Sequence, residues 1–251
     1  TSLKRAAGRI AYKDDVITKR LEKGMANLLH HNTASFLHFI ELFIDGSKQY
    51  LDTKNYKYAL MLYYALFQDR LDKTGFASIY EALELIHKEM YSYFKQEISE
   101  IISYLLAHLQ LKTMPLGEDV LPGLELYGCY TREEIFTLVG RQTEARKMQG
   151  SVTGVFNLSE CNATLLFVTL NKSDKDFSPS TQYNDYLINE HYFHWQSQNT
   201  DSHQNNGGQR YTKQADTQNK IILFVREEKK DGYGNTCPFH CFGLVEYMSS
   251  H

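Results

Sequence analysis

At 251 residues with 42% hydrophobic side chains, the chain is long enough to bury a sizeable core. A formal charge of −3 excludes a protein that holds polyanions through a basic bulk, so any contact with nucleic acid has to be local. No uninterrupted apolar run of about 18 residues appears, and the opening TSLKRAAGRIAYKDD has no apolar signal-peptide core, which points to a cytoplasmic protein without membrane contact.

Residues 1–115 hold one proline, Pro115, and four glycines; the remainder holds three prolines and eleven glycines. Charge divides at the same border, +2 before Leu116 (15 Lys and Arg against 13 Asp and Glu) and −5 after it (12 against 17). The expected organisation is a helical coupler domain over 1–115 and a β-rich recognition domain over 116–251. In the first part, apolar residues recur at helical spacing in Phe36, Phe39, Ile40, Phe43 and Ile44, in Tyr58, Met61, Leu62 and Ala65, and in Ile98, Ile101, Ile102, Leu105 and Leu109. Asn32-Thr33 reads as a helix start, Asp45-Gly46 as a stop, and Lys73-Thr74-Gly75 as a break before a helix predicted over Phe76 to Phe94. Four or five such helices form a bundle, and tyrosines at this spacing, Tyr63, Tyr64, Tyr91 and Tyr93, are read as core.

In the second part Thr131-Arg132-Glu133-Glu134 is a capping-box start for a short helix to Gly140. Ala163 to Leu170, Lys220 to Arg226 and His240 to Tyr247 are rich in β-branched and aromatic residues and predict strands, with Ser151 to Leu158 and Tyr192 to Gln198 weaker. Asn199 to Arg210 reads as a long polar loop. The predicted fold class is α+β, an all-α bundle followed by a small mixed or antiparallel sheet closed into a barrel-like domain.

The chain has no Gly-rich P-loop, no H-E-x-x-H and no G-x-S-x-G. His191 and His194 have the spacing of a helical metal pair, but the flanking aromatics favour a strand, which turns the two rings to opposite faces. Cys237, His240 and Cys241, with Cys129 as a distant fourth, contain the donors of a zinc site at a spacing that is not a standard knuckle; buried free cysteines are the commoner outcome. Four cysteines are too few for a disulfide framework in a chain this long, and no cofactor or metal is expected. The lack of an initiating methionine suggests a fragment of a longer protein.

FSPSTQYNDYLINEHYFHWQSQ, Phe177 to Gln198, holds the chain's one tryptophan among tyrosines, histidines and amides. Read as a strand, its end places Tyr192, His194, Gln196 and Gln198 on one face and Phe193, Trp195 and Ser197 on the other. Ring faces beside amide and carboxylate groups suit a flat heteroaromatic ligand; a tyrosine- and tryptophan-rich core with satisfied polar tips is the bland alternative of equal weight.

LNKSDKDFSPSTQYNDYLINEHYFHWQSQ, ILFVRE, LYGCYTREEI and FGLVEY resemble the C-terminal domain of unknown function carried by bacterial superfamily 2 helicases with a phospholipase-D-type nuclease, in particular SauUSI-like type IV modification-dependent restriction enzymes. The resemblance spans about Leu121 to Ser249, and the helical half resembles the connecting region before that domain. It implies an SRA- or PUA-like fold and a reader without its own ATPase or nuclease, hence not an enzyme. Its partners would be double-stranded DNA carrying 5-methylcytosine or 5-hydroxymethylcytosine and the helicase and nuclease domains of the parent chain.

On this reading a flipped base lies among Tyr183, Asp185, Tyr186, His194, Trp195 and Gln196, with Tyr127, Tyr130 and Asn171 as contributors. Trp195, Tyr183 and Tyr186 stack, and Asp185 accepts from the cytosine amine. Lys172, Lys175, Arg210 and Lys213 are the expected phosphate donors, few enough for a shallow salt dependence. Asp185→Asn is expected to erase the preference while leaving the melting temperature nearly unchanged. The alternatives are a module that docks a helicase or partner subunit through the aromatic face and, less favoured for want of a nucleophile, a hydrolase built on His194 and Asp185.

Overall fold

The computed structural model describes residues 16–117, 120–148, 153–172, 185–197 and 206–249. The helical part contains α1 (Val16–Met25), α2 (Ala34–Ile44), α3 (Tyr56–Phe67), the single turn α4 (Leu71–Thr74), α5 (Ile79–Glu84) and α6 (Ser92–Ala107). The periodic apolar positions face inward: Phe36, Phe39, Ile40 and Phe43 of α2, Ile98 and Ile102 of α6, and Tyr63, Tyr64, Tyr91 and Tyr93 are all buried. α3 is buried from Ala59 to Phe67 and forms the axis of the bundle. α1 crosses it closely enough that a Cβ on Gly24 would collide with the Leu66 carbonyl. At the crossing Arg20 donates to the Phe67 carbonyl (2.7 Å) and Asn27 to that of Ala65 (2.9 Å), satisfying the C-terminal end of α3.

The predicted stops at Gly46 and Gly75 hold, both residues adopting positive φ. The continuous helix predicted from Phe76 to Phe94 does not form. Lys88 is extended (φ −70°, ψ 143°), which separates α5 and its 3-10 continuation from α6. The break lets Ile86 and Tyr91 both turn into the core, where a straight helix would place five successive residues around its circumference.

A two-residue ladder, β1 (Met114–Pro115) with β2 (Glu125–Leu126), leads into a five-stranded sheet. The sheet contains β3 (Cys129–Tyr130), β4 (Val155–Leu158), β5 (Ala163–Asn171), β8 (Lys220–Glu228) and β9 (Phe239–Val245), in the order β3-β9-β8-β5-β4; a separate hairpin pairs β6 (Tyr186–Leu187) with β7 (Phe193–His194). The central pair, β5 with β8, is parallel and every other pairing is antiparallel. Near-continuous apolar runs such as ATLLFV and IILFV are what a parallel pair covered on both faces requires. On one face Leu165, Phe167, Ile222 and Phe224 join the core of the helical part; on the other Leu166, Val168, Leu223 and Val225 form a second cluster with Tyr211.

The sheet is open, so the expected barrel does not form. Its edge strands are too short to meet: β3 has two residues because Thr131 at once caps α7 (Arg132–Leu138), and β4 has four. The capping box predicted from sequence is present, Thr131 Oγ1 accepting from Glu134 N and Glu134 accepting from Thr131 N. The polar segment predicted as loop up to Arg210 is helical from Asn206 as α8 (Asn206–Thr212), followed by α9 (Gln214–Thr217). Despite poor intrinsic propensity, the turn is held by Tyr211, buried against the sheet.

Candidate functional site

The wall that carries the aromatic segment is built from its anchor outward. Asn189 Oδ1 accepts from the backbone of His191 (2.9 Å) and Tyr192 (3.0 Å), which turns the chain between β6 and β7. Below the turn, Asp185 is buried; its Oδ2 meets Lys172 Nζ at 2.6 Å and its Oδ1 accepts from Gln196 N at 2.9 Å. The side chains of this ion pair are only 8% and 4% exposed, Lys172 and Asp185 respectively, so the hairpin is clamped to the end of β5 by charge in a low-dielectric setting. The alternation predicted for this segment is visible. Phe193 and Trp195 turn toward the second apolar cluster, while Tyr192 and Gln196 are exposed. Trp195 meets Tyr211 edge-on at 4.9 Å, which fixes the indole without burying it.

Asp185, Trp195, Gln196 and Lys172 are among the residues that line a cleft of about 1340 Å³ between the helices and the sheet. Residues of α7, β8 and the start of β9 also line this cleft. Here the Arg132 guanidinium lies 4.3 Å from the Phe167 ring centre and 5.5 Å from that of Phe239, and Arg226 lies 4.3 Å from Phe239. Arg132 donates to the Thr153 carbonyl (3.0 Å); Arg226 donates to the Thr169 hydroxyl (2.9 Å) and the Cys237 carbonyl (3.1 Å). Burial, aided by the like charge of Arg226, pushes Arg132 down to about 10.

At the helical margin of the cleft Glu134 joins the two parts of the chain. His30 Nε2 lies 2.9 Å from its Oε2 and His31 Nε2 3.4 Å from its Oε1. Burial would raise the Glu134 carboxyl, but the charges and hydrogen bonds of the two histidines hold it well below the usual range. Burial favours the neutral form of His30 yet is outweighed by Glu134, so His30 is raised; His31, wholly enclosed, is lowered by burial. Beside this cluster Asn32 bonds both the Tyr127 carbonyl (2.9 Å) and Cys129 N (2.6 Å), Tyr64 reaches the Thr143 carbonyl (2.7 Å), and Lys147 the Gln68 carbonyl (2.7 Å). The ligand atoms of His30, His31 and Glu134 lie within 4.8 Å of one another, a donor set in kind for a divalent metal. With Glu134 Oε2 already accepting from Thr131 N, these bonds account for the cluster as a structural joint.

Of the residues singled out from sequence, Tyr183 and Lys175 lie outside the described residues. Tyr186 and His194 stack on each other (4.7 Å, 9°) along the hairpin, away from the cleft lining. Tyr130 is buried, its hydroxyl oxygen accepting from Glu125 N (3.0 Å), and Tyr127 packs edge-on near Phe242. Asn171 is exposed at the end of β5; Arg210 and Lys213 belong to α8 and its exit, where the Arg210 carbonyl accepts from Asn219 (3.2 Å). Cys237, His240 and Cys241 do not converge, since β9 turns Cys241 into the core and His240 to solvent. Asp185→Asn is now expected to be destabilising, because it removes one charge of a buried ion pair. Sequence reasoning passed over Arg132, Arg226 and the His30-His31-Glu134 joint. The available signals were an arginine inside a capping box and another closing an apolar strand, each ordinary by itself.

A profile of the family described as Domain of unknown function (DUF3427) matches residues 124–251. No curated protein and no solved structure matches the chain. No described helix is long and apolar enough to cross a membrane.

Proposed function

The chain belongs to the DUF3427 family, and we propose that it is a DNA-binding target-recognition module, without an ATPase or nuclease of its own, that accepts a 5-methylcytosine or 5-hydroxymethylcytosine extruded from duplex DNA into the cleft. The parent chain on this reading is an ATP-dependent SauUSI-like type IV restriction enzyme, whose helicase and nuclease act on what the module reads. The observation that carries the proposal is that Trp195, Gln196, Asp185 and Lys172, chosen from sequence for base and phosphate recognition, are all among the residues that line one cleft. Extrusion costs a few kcal/mol, and stacking on an aromatic face returns about 1 to 3 kcal/mol per base. Trp195 is oriented for this by Tyr211, while Gln196 offers amide groups to a base edge. Asp185 acts in this scheme through the hairpin it holds, both its oxygens being engaged.

The test is fluorescence anisotropy with duplexes that differ in one modified cytosine. The modified duplex is expected to bind more tightly, and Trp195→Ala to lose about tenfold in affinity where Trp195→Phe loses less. Equal affinity of the wild type for both duplexes would sink the reading. A second reading, docking of the helicase or another subunit, is favoured by the tip of the hairpin, where Tyr186, Leu187, Ile188 and Tyr192 are 46%, 54%, 57% and 47% exposed. A helicase fragment captured through those residues, with DNA binding intact in their alanine variants, would assign the tip to that role.

A further inference from the structure

The geometry points to a divalent-metal site, suited to zinc, at the joint between the two parts of the chain, with the Nε2 atoms of His30 and His31 and a carboxylate oxygen of Glu134 as its protein ligands. The site goes beyond the base-reading proposal and holds whatever the cleft binds. Its donors come from two places that only the fold unites: consecutive histidines in the link between α1 and α2, and the glutamate of the α7 capping box, 104 positions from His30. Neighbouring residues point to different sides of a helix or a strand; the turn at Leu29-His30 brings both rings to one carboxylate.

Two observations beyond the donor types carry the assignment. The first is spacing. One ligand atom from each residue lies within 4.8 Å of the others, and the two nitrogen–oxygen separations are 2.9 and 3.4 Å. Two ligands each about 2.0 to 2.1 Å from a tetrahedral ion are about 3.3 Å apart, so little movement is needed to admit one. The second is His31. Its side chain is wholly enclosed, with the rings of His30 at 4.2 Å and Phe36 at 4.5 Å; Nδ1 has no hydrogen-bond partner, and Nε2 has only the 3.4 Å approach to Glu134 Oε1. Buried imidazoles are ordinarily hydrogen-bonded. The bonds of the joint satisfy Glu134 and His30 without a metal, but they do not satisfy His31. An ion between His31 Nε2 and Glu134 Oε1 uses the neutral ring that burial favours there, while Glu134 Oε2 keeps its bond from Thr131 N. His30 then exchanges the proton it shares with Glu134 for the ion, and the metal-free protein keeps the joint through that proton. His30 and Glu134 also line the cleft, from which water supplies the fourth ligand.

The test uses the full chain, stripped with a chelator and titrated with zinc in a calorimeter, beside the variants His31→Leu, Glu134→Gln and Cys237→Ser. The wild type is expected to take up a single equivalent and to melt at a higher temperature with it. His31→Leu and Glu134→Gln are expected to bind zinc about a hundredfold more weakly and to gain no melting temperature from it. His31→Leu keeps an apolar contact with Phe36 and Glu134→Gln keeps the capping box, so both are expected to fold. Cys237→Ser should titrate as the wild type does. Cobalt provides a reading that needs no variant: its spectrum in the wild type should show the visible bands of nitrogen and oxygen coordination without the near-ultraviolet absorption of a cobalt–thiolate bond. No uptake by the wild type, equal uptake by folded His31→Leu and Glu134→Gln, or a cobalt–thiolate band that disappears in Cys237→Ser would each overturn the site.

Discussion

Glu134 and Asp185 are both buried carboxylates with cationic partners, yet they hold different things. Glu134 ties residues 104 positions apart, His30 to α7, and lies within a dense set of bonds between helices and sheet. Asp185 ties residues 13 positions apart and secures only the hairpin that forms one wall of the cleft. The first is a joint of the whole molecule and the second a clamp on one recognition surface. An identical side-chain chemistry thus acts globally or locally according to how much chain its partners bring with them.

The largest effect that would sharpen this contrast is expected from Glu134→Ala, which leaves His30 and Thr131 N without their acceptor and costs about 3 to 5 kcal/mol in denaturant unfolding. Glu134→Gln should be milder, because a glutamine at the third helical position still completes the capping box. A loss under about 1 kcal/mol for the alanine variant would break the distinction, since an uncompensated joint of this kind cannot be that cheap.

Asp185→Asn comes next, at about 3 kcal/mol, because one charge of the buried Lys172–Asp185 pair is removed. Combining it with Lys172→Met removes both charges and should recover most of the stability, a double-mutant cycle that isolates the pair. If the clamp is local, hydrogen exchange in the double variant rises in the 185–197 hairpin while α2 and α3 stay protected. Exchange rising equally in the helices would show that the two carboxylates do not differ in reach.

A smaller effect concerns pH. His30 is raised from its ordinary 6.5, so its contribution is complete below that value and disappears as pH rises through the raised value. Glu134 is depressed from its ordinary 4.5 and remains charged throughout that window. The stability lost in His30→Asn, measured by thermal melting, should therefore be larger near pH 6 than near pH 9. The opposite ordering would mean that the ring is bound neutral. Smallest of all, Tyr186→Ala should change stability by no more than about 0.5 kcal/mol, since its exposed stack with His194 covers little.

Much of the fold was legible because periodicity is a local signal. The inward face of α2, the stops at Gly46 and Gly75, the capping box at Thr131 and the strands β5, β8 and β9 each follow from residues within one or two turns of each other. The helix break at Lys88 was not legible, because burial of Ile86 and Tyr91 outweighed a continuous apolar pattern. The open sheet was also hidden: closure depends on how far β3 and β4 extend, and β3 is cut short by the adjacent helix cap. α8 formed against its propensity through Tyr211, a contact with strands distant in sequence.

The candidate site divides in the same way. The sequence by itself determined that Trp195, Gln196 and Asp185 belong to one short aromatic and amide segment, since spacing along a strand decides which side chains share a face. Only the tertiary structure decided that Asp185 is a clamp, that Tyr130 is core, and that Arg132 and Arg226 both pack on the Phe239 ring. Those outcomes depend on through-space distances and burial between elements up to about a hundred residues apart, and a charge's role is set by what surrounds it once water has been removed.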